Sequence, residues 1–271
     1  MGRSTWSDWP DCNALNALLA NQVVTLSGIR VRFSPQDHTL PLPGIPYEER
    51  VYRTGVISTR ERNWHDLFNA LMWRLWPELK SAMNAAHVRE MSTLRGANRS
   101  RLRDAMTLLD ESGVIVAASD RADLEALRDH RWKAVFHRGR ARWNHFVRAF
   151  IVGHALYEKA LSPYPGITGR TLLLQVDQRF FSLDLHSQIK ILDRHAASMI
   201  ATTGPLKTPH DLGVLPILGI PGWHFARQDA AFYDNPGVFR PRTRPDRSPG
   251  PIVAHCTLDG QHAEESGLPS A

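Results

Sequence analysis

Seven side chains of this sequence could do chemistry together if folding gathered them: His65, Asp66, His87, Asp104, Glu111, His154 and Glu158. Imidazoles set among carboxylates can hold a divalent metal or carry out general acid–base catalysis. Local spacing already couples some of them. His154 and Glu158 are four residues apart, which on a helix puts an imidazole beside a carboxylate, and His65 and Asn69 stand in the same relation. Asn84 and His87 are three apart. Asp110-Glu111 closes a helical stretch, where the helix dipole disfavours negative charge and a cation would relieve it. The candidate catalytic residues are therefore His65, Asp66, Asp104, His154 and Glu158. The candidate metal ligands are His65, His87, Glu111 and His154. Arg103 could hold an anionic substrate group as a charge-assisted fork, with Asn69, Thr107 and Trp223 as further substrate contacts. The implied cofactor is a divalent metal, and the implied ligand a small anion.

Motifs narrow this only slightly. His65-Asp66 spells the dyad of metal phosphohydrolases, but that chemistry also needs an upstream histidine on a helix, and His38 sits in a proline-rich loop. No serine lies in a nucleophile-elbow setting. The run Leu218-Gly219-Ile220-Pro221-Gly222-Trp223 is glycine-rich, but no helix follows and it has no lysine, so it reads as a rigid turn whose tryptophan packs on the core. Residues 131–148 interleave arginines with Trp132, Phe136, Trp143 and Phe146. Such a mixture can stack on single-stranded nucleic acid, but it also describes an amphipathic segment with a solvated charged face.

The elements that must position these groups are mostly helical. Asn63 to Trp76 is the clearest: Trp64, Leu67, Phe68, Leu71 and Leu75 follow one apolar stripe. Its second face carries Asp66, Asn69, Trp73 and Trp76, so that face is expected to be covered as well, and buried polar groups need partners. Pro77 ends this helix or starts the next, over about 78–92. A third runs from about Asn98 to Glu111, with Gly113 as its stop. Other helices are predicted over Asp11–Asn21, Leu124–Leu127, Ser182–Ala201 with Ser182 as N-cap, and 141–161, interrupted at Gly153. Residues 28–33 alternate as a half-buried strand does, and 114–118 and Leu172–Val176 also read as strands. Residues 35–47 are a loop, and helix is not expected after Pro205.

With 42% hydrophobic and 22% charged residues over 271 positions, the composition is that of a globular chain. The fold class is predicted as α+β, a mainly helical single domain with a few short strands. It spans 1–241, with 242–271 as a disordered tail too poor in apolar residues to order. Two cysteines near opposite ends exclude a disulfide framework and a cysteine zinc site. No apolar run approaches the ~20 residues that span a bilayer. The start lacks an export signal. The chain therefore reads as cytoplasmic, with no membrane partner. Net charge is +6, and 28 of the 33 basic residues are arginine. They are spread along the chain rather than blocked, so an anionic macromolecular partner is not demanded.

Five stretches carry a resemblance: 58–71 (STR…NWHDLFNAL), 103–113 (RDAMTLLDESG), 153–159 (GHALYEK), 215–223 (LPILGIPGW), and 232–234 (FYD) with 238–241 (VFRP). In order and content they resemble the bacterial family called domain of unknown function 3025, over about residues 20–241. The resemblance implies a single-domain bacterial protein and brings no activity or catalytic assignment. Two readings of function stand on the residues alone. One is a metal-assisted or acid–base hydrolase with a His/carboxylate pocket. The other is a non-catalytic binding or accessory protein whose polar groups pair internally and whose basic face meets an acidic or nucleic-acid partner.

Overall fold

The structure is a computed structural model that describes residues 9–20, 22–36, 40–93, 100–201, 204–242 and 252–256. It is α+β and mainly helical. A five-stranded mixed sheet forms the centre, made of β3 (Gly113–Ala118), β4 (Val147–Ile151), β5 (Thr168–Val176), β6 (Gly213–Pro216) and β7 (Val253–Cys256). β4 runs antiparallel to β3, and β3 lies parallel to β5. β3 occupies one edge of β5, so β6 and β7 share the other: β6 pairs antiparallel with Thr168–Thr171, β7 parallel with Leu173–Val176.

Successive side chains of a strand point to opposite faces, and both faces of this sheet are covered. Ile115, Ala117, Leu172 and Leu174 face one core, with α4 (Pro77–Thr93), α5 (Arg101–Ser112) and α8 (Leu185–Ile200). Val114, Val116, Ala118 and Leu173 face a second, with α6 (Arg121–Arg128) and the segments around Trp132, Phe136, Trp143, Tyr233 and Phe239. The third core joins α1 (Cys12–Leu19), the parallel pair β1 (Arg32–Pro35) and β2 (Val56–Thr59), α2 (Tyr47–Thr54) and the start of α3 (Trp64–Leu75).

Several expectations are corrected. The helix predicted over 141–161 is instead a short turn, strand β4 and helix α7 (His154–Ala160), which begins directly after Gly153. α8 is capped by Asp184, whose side chain accepts from the Ser187 N–H, and not by Ser182, which ends a preceding 3₁₀ turn. The loop predicted over 35–47 gives way at Tyr47 to α2. Within the predicted tail, 252–256 are ordered: β7 pairs with β5, and Cys256 is 1% exposed in the first core. Tail residues 243–251 and 257–271, and His38, lie outside the described residues. Trp223 is 40% exposed and does not pack on the core as expected. Trp132, Phe136 and Trp143 are buried in the second core, so these rings do not form an outward stacking platform. No helix among the described residues is long and apolar enough to cross a membrane.

Candidate metal centre

Three helix ends meet at one place. α3 starts where the Asn63 side chain accepts from the Asp66 N–H, which puts His65 in its first turn. α5 ends at Ser112 and passes straight into β3 at Gly113, leaving Glu111 on its last turn. β4 ends against that junction. The Val152 and Gly153 N–H groups both donate to the Gly113 carbonyl at 2.9 Å. A Cβ on Gly153 would lie 2.4 Å from the Gly113 nitrogen and 2.6 Å from the Glu111 carbonyl oxygen, so only glycine lets the chains approach this closely. The residue after it, His154, is thereby delivered beside Glu111.

His65, Glu111 and His154 each offer one ligand atom, all within 4.8 Å of one another. The two imidazole Nε2 atoms are 2.9 Å apart, with the rings at 79°, and His154 Nε2 is 3.7 Å from Glu111 Oε1. Donors about 2.1 Å from a tetrahedral zinc ion stand roughly 3.4 Å apart, so the His154–Glu111 separation suits a common ion, whereas the two Nε2 atoms lie within hydrogen-bond distance of each other and must part by about 0.5 Å to share one. His154 is buried, whereas the side chains of His65 and Glu111 are 30% and 42% exposed, so solvent reaches the cluster.

The far side of each imidazole faces a carboxylate. His65 Nδ1 is 3.1 Å from Glu158 Oε2, and an ionised carboxylate only accepts, so Nδ1 carries the hydrogen and the Nε2 lone pair accepts from His154 Nε2. His154 Nδ1 faces Asp110 Oδ1 at 3.8 Å. Asp110 in turn accepts from the Lys80 ammonium, which also donates to Asn69 Oδ1 at 2.8 Å. Desolvation would raise the Asp110 pKa. The Lys80 charge, and behind it His154, outweigh that and hold the carboxyl well below the usual carboxylate range. His65 thus has the backing that carboxylate–histidine–metal arrangements use to fix tautomer and ring orientation, while Asp110 faces His154 Nδ1 from beyond hydrogen-bond distance.

The other candidates lie elsewhere. Asp66 is saturated: Arg60 grips it with Nε at 2.9 Å and Nη2 at 2.8 Å, and the Arg60 N–H adds a bond of 2.7 Å. Burial works to raise its pKa, but the Arg60 bonds prevail and hold it down. Asp104 is two turns before Glu111 on α5, about 10 Å along the axis, and outside the cluster. His87 lies two turns beyond Lys80 on α4, lining a small pocket with Tyr47, Glu48, Lys80, Asn84 and Asp110, and is not among the clustered ligand atoms. The charge of Arg103 acts on Glu48, and Thr107 Oγ1 donates to the Arg103 carbonyl. Trp223 sits in the turn after Ile220. Of the proposed substrate contacts, Asn69 touches the network around the site through its bond from Lys80.

A family model described as a protein of unknown function, DUF3025, matches residues 31–243. The chain belongs to this family. No curated protein and no solved structure matches it. For this DUF3025 member, four of the cluster's residues (His65, Glu111, His154 and Glu158) were legible in the sequence as chemistry-bearing. Asp110 was visible only as half of an acidic helix end. Lys80 was missed, although a lone lysine amid Leu79, Ser81 and Ala82 on a covered helix, in a chain with only five lysines, is a signal that could have found it.

Proposed function

We propose that this protein is a metal-dependent hydrolase whose ion is held by His65, Glu111 and His154. The observation that carries this reading is the convergence of both Nε2 atoms and one Glu111 oxygen, with Glu158 bonded to His65 Nδ1 and Asp110 facing His154 Nδ1. Two imidazoles and one carboxylate leave a coordination position open, the arrangement of catalytic rather than structural zinc. A bound ion would supply Lewis acidity and a water acidic enough to ionise near neutral pH. The chain's own groups divide the remaining work. Glu158 orients His65 rather than acting as an acid or base, and the exposed edge formed by His65, Glu111 and Glu158 admits water and substrate. Asp66, held by Arg60, shapes the start of α3.

The test is elemental analysis of the full chain after equilibration with zinc, followed by turnover of chromogenic phosphate and carboxylate esters. One zinc per chain is expected, lost in His154→Ala and Glu111→Gln, with zinc-dependent ester cleavage lost in parallel. Absence of stoichiometric zinc binding sinks the metal reading. Stoichiometric binding with no metal-dependent cleavage of any ester sinks the hydrolase reading and leaves a binding protein.

A further inference from the structure

Resting on that metal reading, we propose that Lys80 and Asp110 are positioning residues of the centre: Lys80 fixes Asp110, and Asp110 fixes the ring of His154. Lys80 is a cation in an unusual place. Its side chain is 4% exposed, its ammonium lies 5.4 Å from the centre of the Trp73 ring, and its bonds go to Asn69 and Asp110. Burying an ammonium this deeply is costly unless its partners compensate, so the pair is held together tightly. A pin between helices α4 and α5 could have been built from apolar side chains at lower cost. The carboxylate oxygen that accepts from Lys80 is also the one that faces His154 Nδ1.

The His154 Nδ1 atom is buried and makes no hydrogen bond. For Nε2 to bind a cation, Nδ1 must carry the hydrogen. Asp110 is the acceptor facing that hydrogen at 3.8 Å, one small ring movement from a bond. Asp110 therefore selects the ligating tautomer, and Lys80 keeps Asp110 aimed. Glu158 does the same for His65 from the solvent side, so one imidazole is oriented by an exposed carboxylate and the other by a sheltered ion pair.

The experiment measures zinc affinity of the full chain by competition with a chromophoric chelator, alongside thermal unfolding of the metal-free proteins. Four proteins are compared: wild type, Asp110→Asn, Lys80→Met and the double variant Lys80→Met/Asp110→Asn. Loss of an outer-shell partner of a metal-bound histidine weakens binding about 10–100-fold, and that loss is expected in Asp110→Asn. Lys80→Met leaves a desolvated carboxylate unpaired and should also lower the melting temperature. The double variant removes both charges. It should recover melting temperature relative to Lys80→Met while its zinc affinity stays about 10–100-fold weak. A merely structural pair gives the opposite pattern, a double variant that binds zinc as the wild type does, and that result overturns the proposal. A wild-type chain that binds no zinc overturns the metal reading itself, and the two failures are thereby distinct.

Discussion

Asp193 of α8 reaches across to the start of α4, where it accepts from the N–H groups of Glu78 at 3.0 Å and Leu79 at 2.8 Å. It does for α4 what a capping residue normally does from within the chain, at a distance of more than a hundred residues. Burial pushes its carboxyl up to about 7, against the pull of those two N–H groups. The unfolded chain releases this proton near pH 4, whereas the folded chain keeps it until about pH 7. Between those values the folded state binds more protons, so stability is greatest on the acid side and declines as pH rises through the window. The full linkage is roughly 4 kcal/mol at ~1.4 kcal/mol per pH unit. Urea unfolding at about pH 5 and about pH 8 should show the decline in wild type and a much flatter profile in Asp193→Asn. Equal slopes in the two proteins refute the assignment.

At the scale of elements, the junction of α5, β3, β4 and α7 decides whether the centre forms. Gly153→Ala places a methyl against the Gly113 nitrogen and the Glu111 carbonyl, both backbone atoms that cannot swing aside. Overpacking of this kind costs about 1–3 kcal/mol. It also displaces His154 from Glu111, so the variant should both melt earlier and bind zinc more weakly. A variant that is less stable but keeps full zinc affinity counts against the junction as the device that positions the site. This junction was the part least legible in sequence. Val147–Ile151 is apolar on most of its positions because the strand lies in a covered sheet, and a continuous apolar run does not separate strand from buried helix. By contrast, α3 announced itself through its apolar stripe, and the alternation read over 28–33 put Val31 and Phe33 inward, although β1 itself begins only at Arg32. α2 escaped because only Val51 of its eight residues is buried, leaving almost no periodic signal. His154 and Glu158 do lie on one helix as their spacing required, but Glu158 turns to His65 of α3, a partnership 93 residues apart that no local pattern encodes.

For the whole molecule, the sheet carries ordered structure past the boundary that composition draws. A chain cut after Arg242 would keep every helix among the described residues, yet it would strip β7 from the outer edge of β5 along Leu173–Val176. It would also remove Cys256 from the first core and take away Ile252 and Ala254, which pack against the same core. Burial of a single mid-sized apolar side chain contributes about 1.5–3 kcal/mol, so the truncation should cost on the order of 3 kcal/mol and expose an edge strand. Its consequence reaches the metal centre only indirectly, through β5 and β3 to Gly113. Truncated protein should therefore unfold at lower urea concentration while binding zinc about as tightly as the full chain wherever it remains folded. A substitution that leaves chain length intact checks the same point: Cys256→Asp buries a carboxyl with no partner and should destabilise comparably. If both variants unfold at the wild-type urea concentration, β7 is dispensable and the folded unit closes near residue 241. If both are destabilised, the region beyond 241 contributes a strand to the central sheet, and the boundary drawn from composition alone is moved outward to Cys256.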